Sequence, residues 1–148
     1  MSLEENKRLI QRLIDEGHNR QAADVAAAFY TEDASNHLRS VGRAGMKAMF
    51  ETLYTVFPDF HYHIEESTAE GDSVVCKVTM SGTHRGQPLV RDAFSGMLNG
   101  VAPTGKSVKV LQFHSFRIRD GLIAAHAAVR DDMGMVLQLG LVERPESE

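Results

Sequence analysis

Cysteine is almost absent from this 148-residue chain, which contains Cys76 alone. A single cysteine excludes a disulfide within the chain and is typical of proteins kept in the reducing cytoplasm. Cys76 lies in a Val-rich run, where a packed side chain is more common than a reactive thiol. The sequence therefore predicts a cytoplasmic protein that depends on a hydrophobic core.

Long apolar runs and clusters of positive charge are also lacking. No apolar run approaches the roughly 18 residues of a membrane-spanning helix, and the first residues are polar rather than basic and then apolar. The 16 Lys and Arg are scattered among 20 Asp and Glu, giving a net charge of −4. We therefore expect no export signal and neither a membrane nor a nucleic acid as the partner.

What is present is the composition of one ordinary globular domain. Hydrophobic residues make up 43% of the chain and charged residues 24%, which is normal for a folded protein of this size. We predict a single domain over residues 1–148, with residues 143–148 as a frayed polar tail.

Helical patterns come first along the chain. Ser2 and Glu5 have the spacing of a capping box, and an apolar stripe follows them and stops at Gly17. Two more helices are predicted at about 22–29 and 45–56, the latter ending before Pro58.

Strand patterns fill the remainder. Period-two segments at 61–68, 73–84, 106–119 and 122–131 predict strands, and 132–139 has room for a closing helical turn. Asp120-Gly121 predicts a two-residue hairpin turn. This order predicts an α+β fold, in which a curved antiparallel sheet forms a cone around about three N-terminal helices packed on its concave face. The open end of such a cone is a natural small-molecule site.

The final hairpin predicts which residues face the cavity. Regular pairing from the Asp120-Gly121 turn sets Phe116 opposite Ala125, His114 opposite Ala127 and Val110 opposite Asp131. One face is then apolar except for Gln112, His114 and Asp131, and a polar group on such a face needs a partner. Either these three groups address a ligand, or backbone and water satisfy them. The other face, with His126, Ala128 and Arg130, is predicted to point outward or to lie partly in a subunit interface.

Several motifs occur in an order that resembles one known family. They are 117–123 (RIRDGLI), His126, 131–140 (DDMGMVLQLG), 57–59 (FPD), 82–86 (GTHRG), 103–105 (PTG) and the pair Asn36-His37. Together they span nearly the whole chain and resemble the SnoaL-like polyketide cyclases, whose cone-shaped fold is shared with ketosteroid isomerases and nuclear transport factor 2.

The resemblance implies a cofactor-free and metal-free enzyme that closes a ring by an aldol reaction. Asp131 matches the family's general acid/base, and His114 or Gln112 would assist it by donating a hydrogen bond to the enolate. The expected substrate-binding residues are Gln112, Asn36, His37, His84, Phe116, Ala127 and Phe50. The expected partners are a small hydrophobic molecule and a second copy of the chain, bound through the outer face of the sheet.

The chain also departs from the family pattern. Ala125 and Ala127 stand where the family usually has Glu and Trp, so the pocket is predicted to be roomier if Ala127 lines it. Residues 88–95 look like an insertion at one rim.

Other functions stay open at this stage. An epoxide or ester hydrolase could use Asp131 to activate water, and a non-catalytic binding protein could use the same pocket. His61 and His63, with His84 on a neighbouring strand, invite a metal site, but no acidic residue at a fixed spacing completes it. The simpler interpretation places His61 and His63 on a solvent face.

Overall fold

A computed structural model describes residues 1–89 and 98–146. The helices are α1 (Leu3–Arg12), α2 (Ala23–Ala28), α3 (Gly42–Val56) and α4 (Asp132–Gln138), with a π-helical turn at Leu13–Gly17 and a 3₁₀ turn at His18–Arg20. The strands are β1 (Tyr30–Asn36), β2 (Arg39–Ser40), β3 (His61–Glu70), β4 (Ser73–Thr83), β5 (Ser107–Arg119) and β6 (Leu122–Arg130). Most of the predicted 88–95 insertion and the last two residues of the tail lie outside the described residues. No helix in the described ranges is long and apolar enough to cross a bilayer.

The first helix begins as predicted. The Ser2 hydroxyl accepts a hydrogen bond from the Glu5 backbone N–H at 3.2 Å, and the Glu5 carboxylate accepts one from the Ser2 backbone N–H at 2.6 Å. This reciprocal capping box satisfies two N–H groups that have no partner within the helix. The helix then continues into the π-helical turn and ends at Gly17, where an added Cβ would lie 2.8 Å from Ala26.

The sheet confirms the predicted α+β class but is mixed rather than wholly antiparallel. Its strand order is β2-β1-β6-β5-β4-β3, and β1 runs parallel to β6 while every other neighbouring pair is antiparallel. Sequence patterns missed β1 and β2 because Thr31, Glu32 and Asp33 follow one another without apolar alternation. The antiparallel prediction was therefore wrong for the one pairing that joins the helical half to the last strand.

The helices and the sheet enclose one apolar core. Helix α3 packs on β1 and α2, and α1 packs on β3 and β4. Ile10, Leu13, Met46, Phe57 and Phe60 are fully or almost fully buried between these elements. The core therefore occupies the base of the cone and leaves space between α3 and the inner face of β5 and β6.

The β5–β6 hairpin contains the feature that decides the site. Asp120 and Gly121 have φ values of 51° and 76°, so the predicted turn is confirmed. Ile118 pairs with Ile123, but Arg117 then pairs with Ala125, which leaves Ala124 as an extra bulged residue. Each side chain beyond the bulge therefore points to the face opposite to that expected from regular pairing.

The predicted faces of β6 are wrong beyond Ile123 for this reason. Phe116 lies opposite His126, His114 opposite Ala128 and Gln112 opposite Arg130. The residues of β6 predicted to point outward therefore point inward. Ala127 and Val129, which were predicted to point inward, are exposed on the outer face.

Candidate functional site

A small cavity lies between the inner face of the sheet and the helices, with a volume of about 80 Å³. Its lining comes from β1, β3, β4, β5, β6, α3 and the segment after α1, and comprises Ile14, His18, Tyr30, Asn36, His37, Met49, Phe50, Leu53, Tyr62, Val78, His114, Phe116, His126, Ala128 and Arg130. An engineered cavity of ~150 Å³ in another protein binds benzene. This cavity is therefore too small to enclose a fused-ring compound, and a larger ligand has to extend through the mouth.

The cavity has a deep end and a mouth. Tyr30, Phe50, Leu53 and Val78 are buried and make the deep end apolar. Asn36, His37, Met49, Ala128 and Arg130 are half-buried and lie where the cavity opens. A bound molecule would therefore place its apolar part inside and its polar part at the mouth.

Two imidazole rings form the centre of a hydrogen-bonded chain along one wall. His126 Nδ1 lies 2.7 Å from Asn36 Oδ1, and His126 Nε2 lies 2.9 Å from His114 Nδ1. His114 Nε2 lies 2.8 Å from Gln112 Oε1, which also accepts a hydrogen bond from the Tyr62 hydroxyl at 3.1 Å. All four ring nitrogens of this pair are thus engaged by protein groups.

The protonation of the two imidazole rings decides which groups of Asn36 and Gln112 bond to them. Burial lowers the pKa of His114 to about 3, and burial together with the neighbouring His114 lowers the pKa of His126 well below its usual value. Both rings are therefore neutral at pH 7 and carry one ring proton each. If both carboxamides presented their oxygens, the three hydrogen bonds from Asn36 to Gln112 would need three ring protons. The two neutral rings carry only two, so one carboxamide must present its NH₂ group instead.

Gln112 is assigned as the carboxamide that presents its NH₂ group, because the Asn36 NH₂ already donates to Met49 Sδ at 3.5 Å. As oriented, Gln112 Nε2 is buried without a hydrogen-bond partner. Exchanging its oxygen and nitrogen, which have nearly the same shape, lets the NH₂ donate to both His114 Nε2 and the Tyr62 oxygen. The chain then donates in one direction, from Gln112 through His114 and His126 to the Asn36 oxygen.

The hydrogen-bonded chain described above also holds the turn that places His37 at the mouth of the cavity. His37 and Leu38 form the two-residue connection between β1 and β2, with φ values of 48° and 66°, a conformation that is costly for a bulky residue such as Leu. The turn is fixed by the Asn36–His126 hydrogen bond and by a bond from the His37 backbone N–H to the His126 carbonyl at 2.9 Å. The strained turn is therefore anchored directly on the ring and the backbone carbonyl of His126.

His37 is the imidazole at the mouth whose ring is not held by hydrogen bonds. Its ring meets His126 edge to face at a centroid distance of 6.0 Å, and it forms no hydrogen bond to another residue in the described ranges. Partial burial and the positive charge of Arg130 lower its pKa below the usual 6.5. His37 is consequently a neutral base at pH 7 that is open to a molecule in the cavity.

Asp131 does not lie in the cavity. It is exposed, and its Oδ1 accepts a hydrogen bond from the Gly134 backbone N–H at 2.8 Å, which caps α4. The predicted inward placement of Asp131 and Ala127 is therefore wrong, because both positions depended on regular pairing through Ala124. The pocket gains no room from Ala127.

The other predicted residues divide into two groups. Phe50, Phe116, Asn36, His37 and His114 line the cavity. Gln112 lies behind His114 and reaches the cavity only through it. His84 is remote, since it is buried beside Phe57 with its Nδ1 3.2 Å from the Thr104 hydroxyl.

Several lining residues were missed from the sequence. His18 lies four residues after Ile14 and faces the same side, a helical spacing that could have revealed it. Its Nδ1 lies 2.7 Å from the Tyr54 hydroxyl, and burial lowers its pKa to about 3. His126 and Arg130 were assigned to the outer face, and nothing in the local sequence signals the bulge that turns them inward.

No group of three metal-binding side chains exists within the described ranges. His61 and His63 are exposed on β3, so their alternate spacing places both rings on the solvent side of the strand. The chemistry that the cavity can support is proton transfer by neutral imidazoles beside one guanidinium.

Comparison with known proteins gives a consistent result. The chain matches the family described as SnoaL-like polyketide cyclase over residues 8–139. No curated protein matches its sequence. Among solved structures, AclR of Streptomyces galilaeus, a proposed hydroxylase, is 24% identical with a TM-score of 0.79, over 96% of this chain and 100% of AclR.

Two further structures are similar. TsrD of Streptomyces laurentii is 22% identical with a TM-score of 0.80, over 96% of this chain and 99% of TsrD. A proposed SnoaL-like polyketide cyclase of Jannaschia sp. CCS1 is 25% identical with a TM-score of 0.76, over 95% of this chain and 94% of that protein. The likeness to AclR and TsrD establishes the fold alone.

Proposed function

Because this chain belongs to the SnoaL-like polyketide cyclase family, we propose that it is a cofactor-free cyclase or isomerase that moves a proton next to the carbonyl group of a small apolar compound. The observation that carries the proposal is a neutral imidazole, His37, held at the mouth of an apolar cavity by a partly buried hydrogen-bonded chain. The family and the structural neighbours support a cyclase or isomerase kind of role. The substrate, the reaction and the residues are our proposal.

His37 is proposed as the group that removes and returns the proton. A general base works best when its pKa is slightly below the working pH, and partial burial lowers the pKa of His37 from 6.5. The buried pair suits this role less well. A pKa of about 3 makes His114 a weak base, and its ring nitrogens are already bonded to His126 and Gln112.

The buried pair is proposed to position His37. The His126 ring bonds to the Asn36 side chain, and the His126 backbone carbonyl accepts from the His37 N–H, so a displacement of His126 moves the whole turn. A base displaced by about 1 Å can lose on the order of 100-fold in rate. His114 and Gln112 act indirectly, because they fix the tautomer and the ring orientation of His126.

The experiment is hydrogen exchange next to a carbonyl, since this step is common to aldol cyclisation and isomerisation. We expect the wild type to accelerate loss of the α-proton signal of 2-indanone or acetylacetone in D₂O, followed by proton NMR. We expect His37→Gln to lower the rate by a factor of 10²–10⁴, the usual contribution of a general base. The His37-dependent rate should fall as pH drops below an apparent pKa lower than 6.5, because only the neutral imidazole accepts a proton.

Two control variants decide between assignments. His63→Gln removes an exposed imidazole on β3 and should leave the rate unchanged. Asp131→Asn should also leave it within about threefold, because Asp131 lies outside the cavity. If Asp131→Asn abolishes exchange while His37→Gln retains it, the assignment made from the sequence is restored and ours is wrong.

Adding styrene oxide and phenyl acetate to the panel tests the hydrolase alternative, which requires the diol or the acid as product. Compounds that bind with no turnover of any kind would identify a binding protein instead.

A further inference from the structure

The charge in the cavity comes from one residue of β6. Arg130 lines the cavity with a side chain that is only 13% exposed, and none of the other lining residues among 1–89 and 98–146 is Asp or Glu. The remaining polar groups of the lining are histidines, tyrosines and one asparagine. The positive charge of Arg130 therefore lies beside an apolar cavity with no acidic side chain among its described lining residues. Such an arrangement favours a negatively charged ligand.

Arg130 lies beside the imidazole chain rather than apart from it. It pairs with Gln112 across the hairpin, and Ala128, two residues earlier, pairs with His114. Alternate residues of a strand lie about 7 Å apart on one face. Arg130 is therefore next to the end of the chain where Gln112 and His114 meet.

The charge of Arg130 acts on several groups that line the cavity. It lowers the pKa of His37, His114 and His126, and it opposes the upward shift of the pKa of Tyr62. All four of these groups line the same cavity as Arg130. A negative charge placed in that space would be attracted to the guanidinium.

Asp132 is a partner of Arg130 outside the cavity. Its Oδ1 lies 3.3 Å from Arg130 Nε, at the long end of the hydrogen-bond range, and its side chain is 33% exposed. A guanidinium has five N–H donors in a planar fork and can bind two anions at once. Asp132 therefore orients Arg130 and competes with a ligand for its charge.

We propose that the compound taken up by this cavity carries a carboxylate, or an enolate that is already ionised, which binds Arg130 while its apolar part packs against Phe50, Leu53 and Val78. The cavity volume of about 80 Å³ is roughly half that of the benzene-binding cavity, so it limits the enclosed part to a short chain or to one edge of a ring. This inference names the substrate class of the site, so its link to catalysis rests on the proposed function. The preference for a negatively charged ligand does not depend on the proposed function.

The test compares two ligands of the same shape. Benzoate and benzamide differ in charge but hardly in size, and their affinities can be measured by calorimetry or by NMR titration at 0.15 M salt. We expect the wild type to bind benzoate at least tenfold more tightly than benzamide. Arg130→Met keeps the length of the side chain and removes its charge, so the ratio should fall to about one with benzamide binding unchanged within twofold.

Two further variants sharpen the comparison. Arg117→Met removes an exposed arginine of β5 that pairs with Asp72, and it should preserve the tenfold preference. Asp132→Asn removes the competing carboxylate, and it should tighten benzoate binding by a factor of two to five. Unchanged benzamide binding by Arg130→Met shows that the variant is folded.

The inference is overturned if the wild type binds the two compounds equally, if it binds no benzoate up to 20 mM, or if the preference survives in Arg130→Met. This result is independent of the proposed function. Anion preference without turnover of any compound would support this inference and oppose catalysis. Turnover of neutral ketones without anion preference would support the proposed catalysis and oppose the proposed anionic ligand.

Discussion

At the middle of the β5–β6 hairpin the usual distribution of side chains is reversed on both faces, although Val110, Phe116 and Ile118 keep the rest of the inner face of β5 apolar. The inner face carries His114, His126 and Arg130 away from open solvent, whereas Phe113 and Val129 on the outer face are 46% and 77% exposed. In most sheets the apolar residues face the core and the polar residues face water. The reversal indicates that each face is made for contact with something other than solvent.

The two faces differ in whether their unusual side chains have partners within the protein. The inner polar groups are satisfied by one another, since each imidazole bonds to its neighbour and to a carboxamide. The outer apolar groups have no such compensation from the residues that the structure describes. Phe113 and Val129 are direct neighbours in the strand register, and a contiguous exposed apolar patch is typical of an interface.

The largest expected effect is acid destabilisation by the inner face. His114 stays neutral in the folded protein down to a pH of about 3, whereas an unfolded histidine binds a proton below about 6.5. The unfolded state therefore binds more protons throughout this window, and stability falls as pH falls from 6.5 towards 3, by on the order of 5 kcal/mol for a shift of this size. This single shift is comparable with the 5–15 kcal/mol by which typical domains are stable.

The measurement is urea unfolding between pH 6.5 and 5, above the range in which most carboxylates titrate. His114→Gln should reduce the slope of unfolding free energy against pH by up to about 1.4 kcal/mol per unit, the value for one proton. His63→Gln, at an exposed position of β3, is the control for loss of an imidazole. Equal slopes for His114→Gln and the wild type would show that His114 is not buried in its neutral form.

The next effect concerns the outer face, where we expect a second copy of the chain. The rim of the patch carries both signs of charge, Glu65 and Lys77, which a self-complementary two-fold interface can pair. Val129→Lys places a charge at its centre and should weaken dimerisation by tenfold or more, halving the mass measured by light scattering. Leu38→Lys, also fully exposed but outside the sheet face, should keep the mass of the wild type. A wild type that is monomeric at 100 μM would contradict the interface.

The smallest effect compares the two faces on one strand. Val78 of β4 is 1% exposed and lines the cavity, whereas Val75 on the same strand is 42% exposed on the outer side. Replacement by Thr keeps the shape and adds a hydroxyl. We expect Val78→Thr to cost about 1–3 kcal/mol, because the hydroxyl lacks a partner there, and Val75→Thr to change stability by less than about 0.5 kcal/mol. Chemical denaturation of both variants measures the difference, and equal costs would mean that the inner face is wet.

Local patterns were sufficient to predict most of the elements. The capping box at Ser2, the Asp120-Gly121 turn and the long strands all follow from spacing and turn chemistry that act within a few residues. The strands β1 and β2 do not, because their stability comes from pairing with β6 and not from their own composition. Element order and the family resemblance were together enough for the α+β fold.

The candidate site was predictable only where it did not depend on register. His114 and Phe116 were placed correctly because β5 is regular, and Asn36 and His37 because of the family resemblance. Asp131 and Ala127 were misplaced, and His126 and Arg130 missed, because one bulged residue reverses every side chain after it. No glycine or proline marks Ala124 as the position of a bulge.

The bulge at Ala124 also limits how the length of this hairpin can vary. A strand has a period of two, so adding or removing one residue between the turn and Ala125 exchanges which residues reach the cavity, unless a bulge absorbs the change. A chain lacking Ala124 would keep His126 and Arg130 inward with a regular ladder. Gap-free alignment of this chain with such a homologue through the turn would match cavity residues to surface residues from Ala124 to the end of β6, so function should be transferred between them by strand pairing rather than by sequence position.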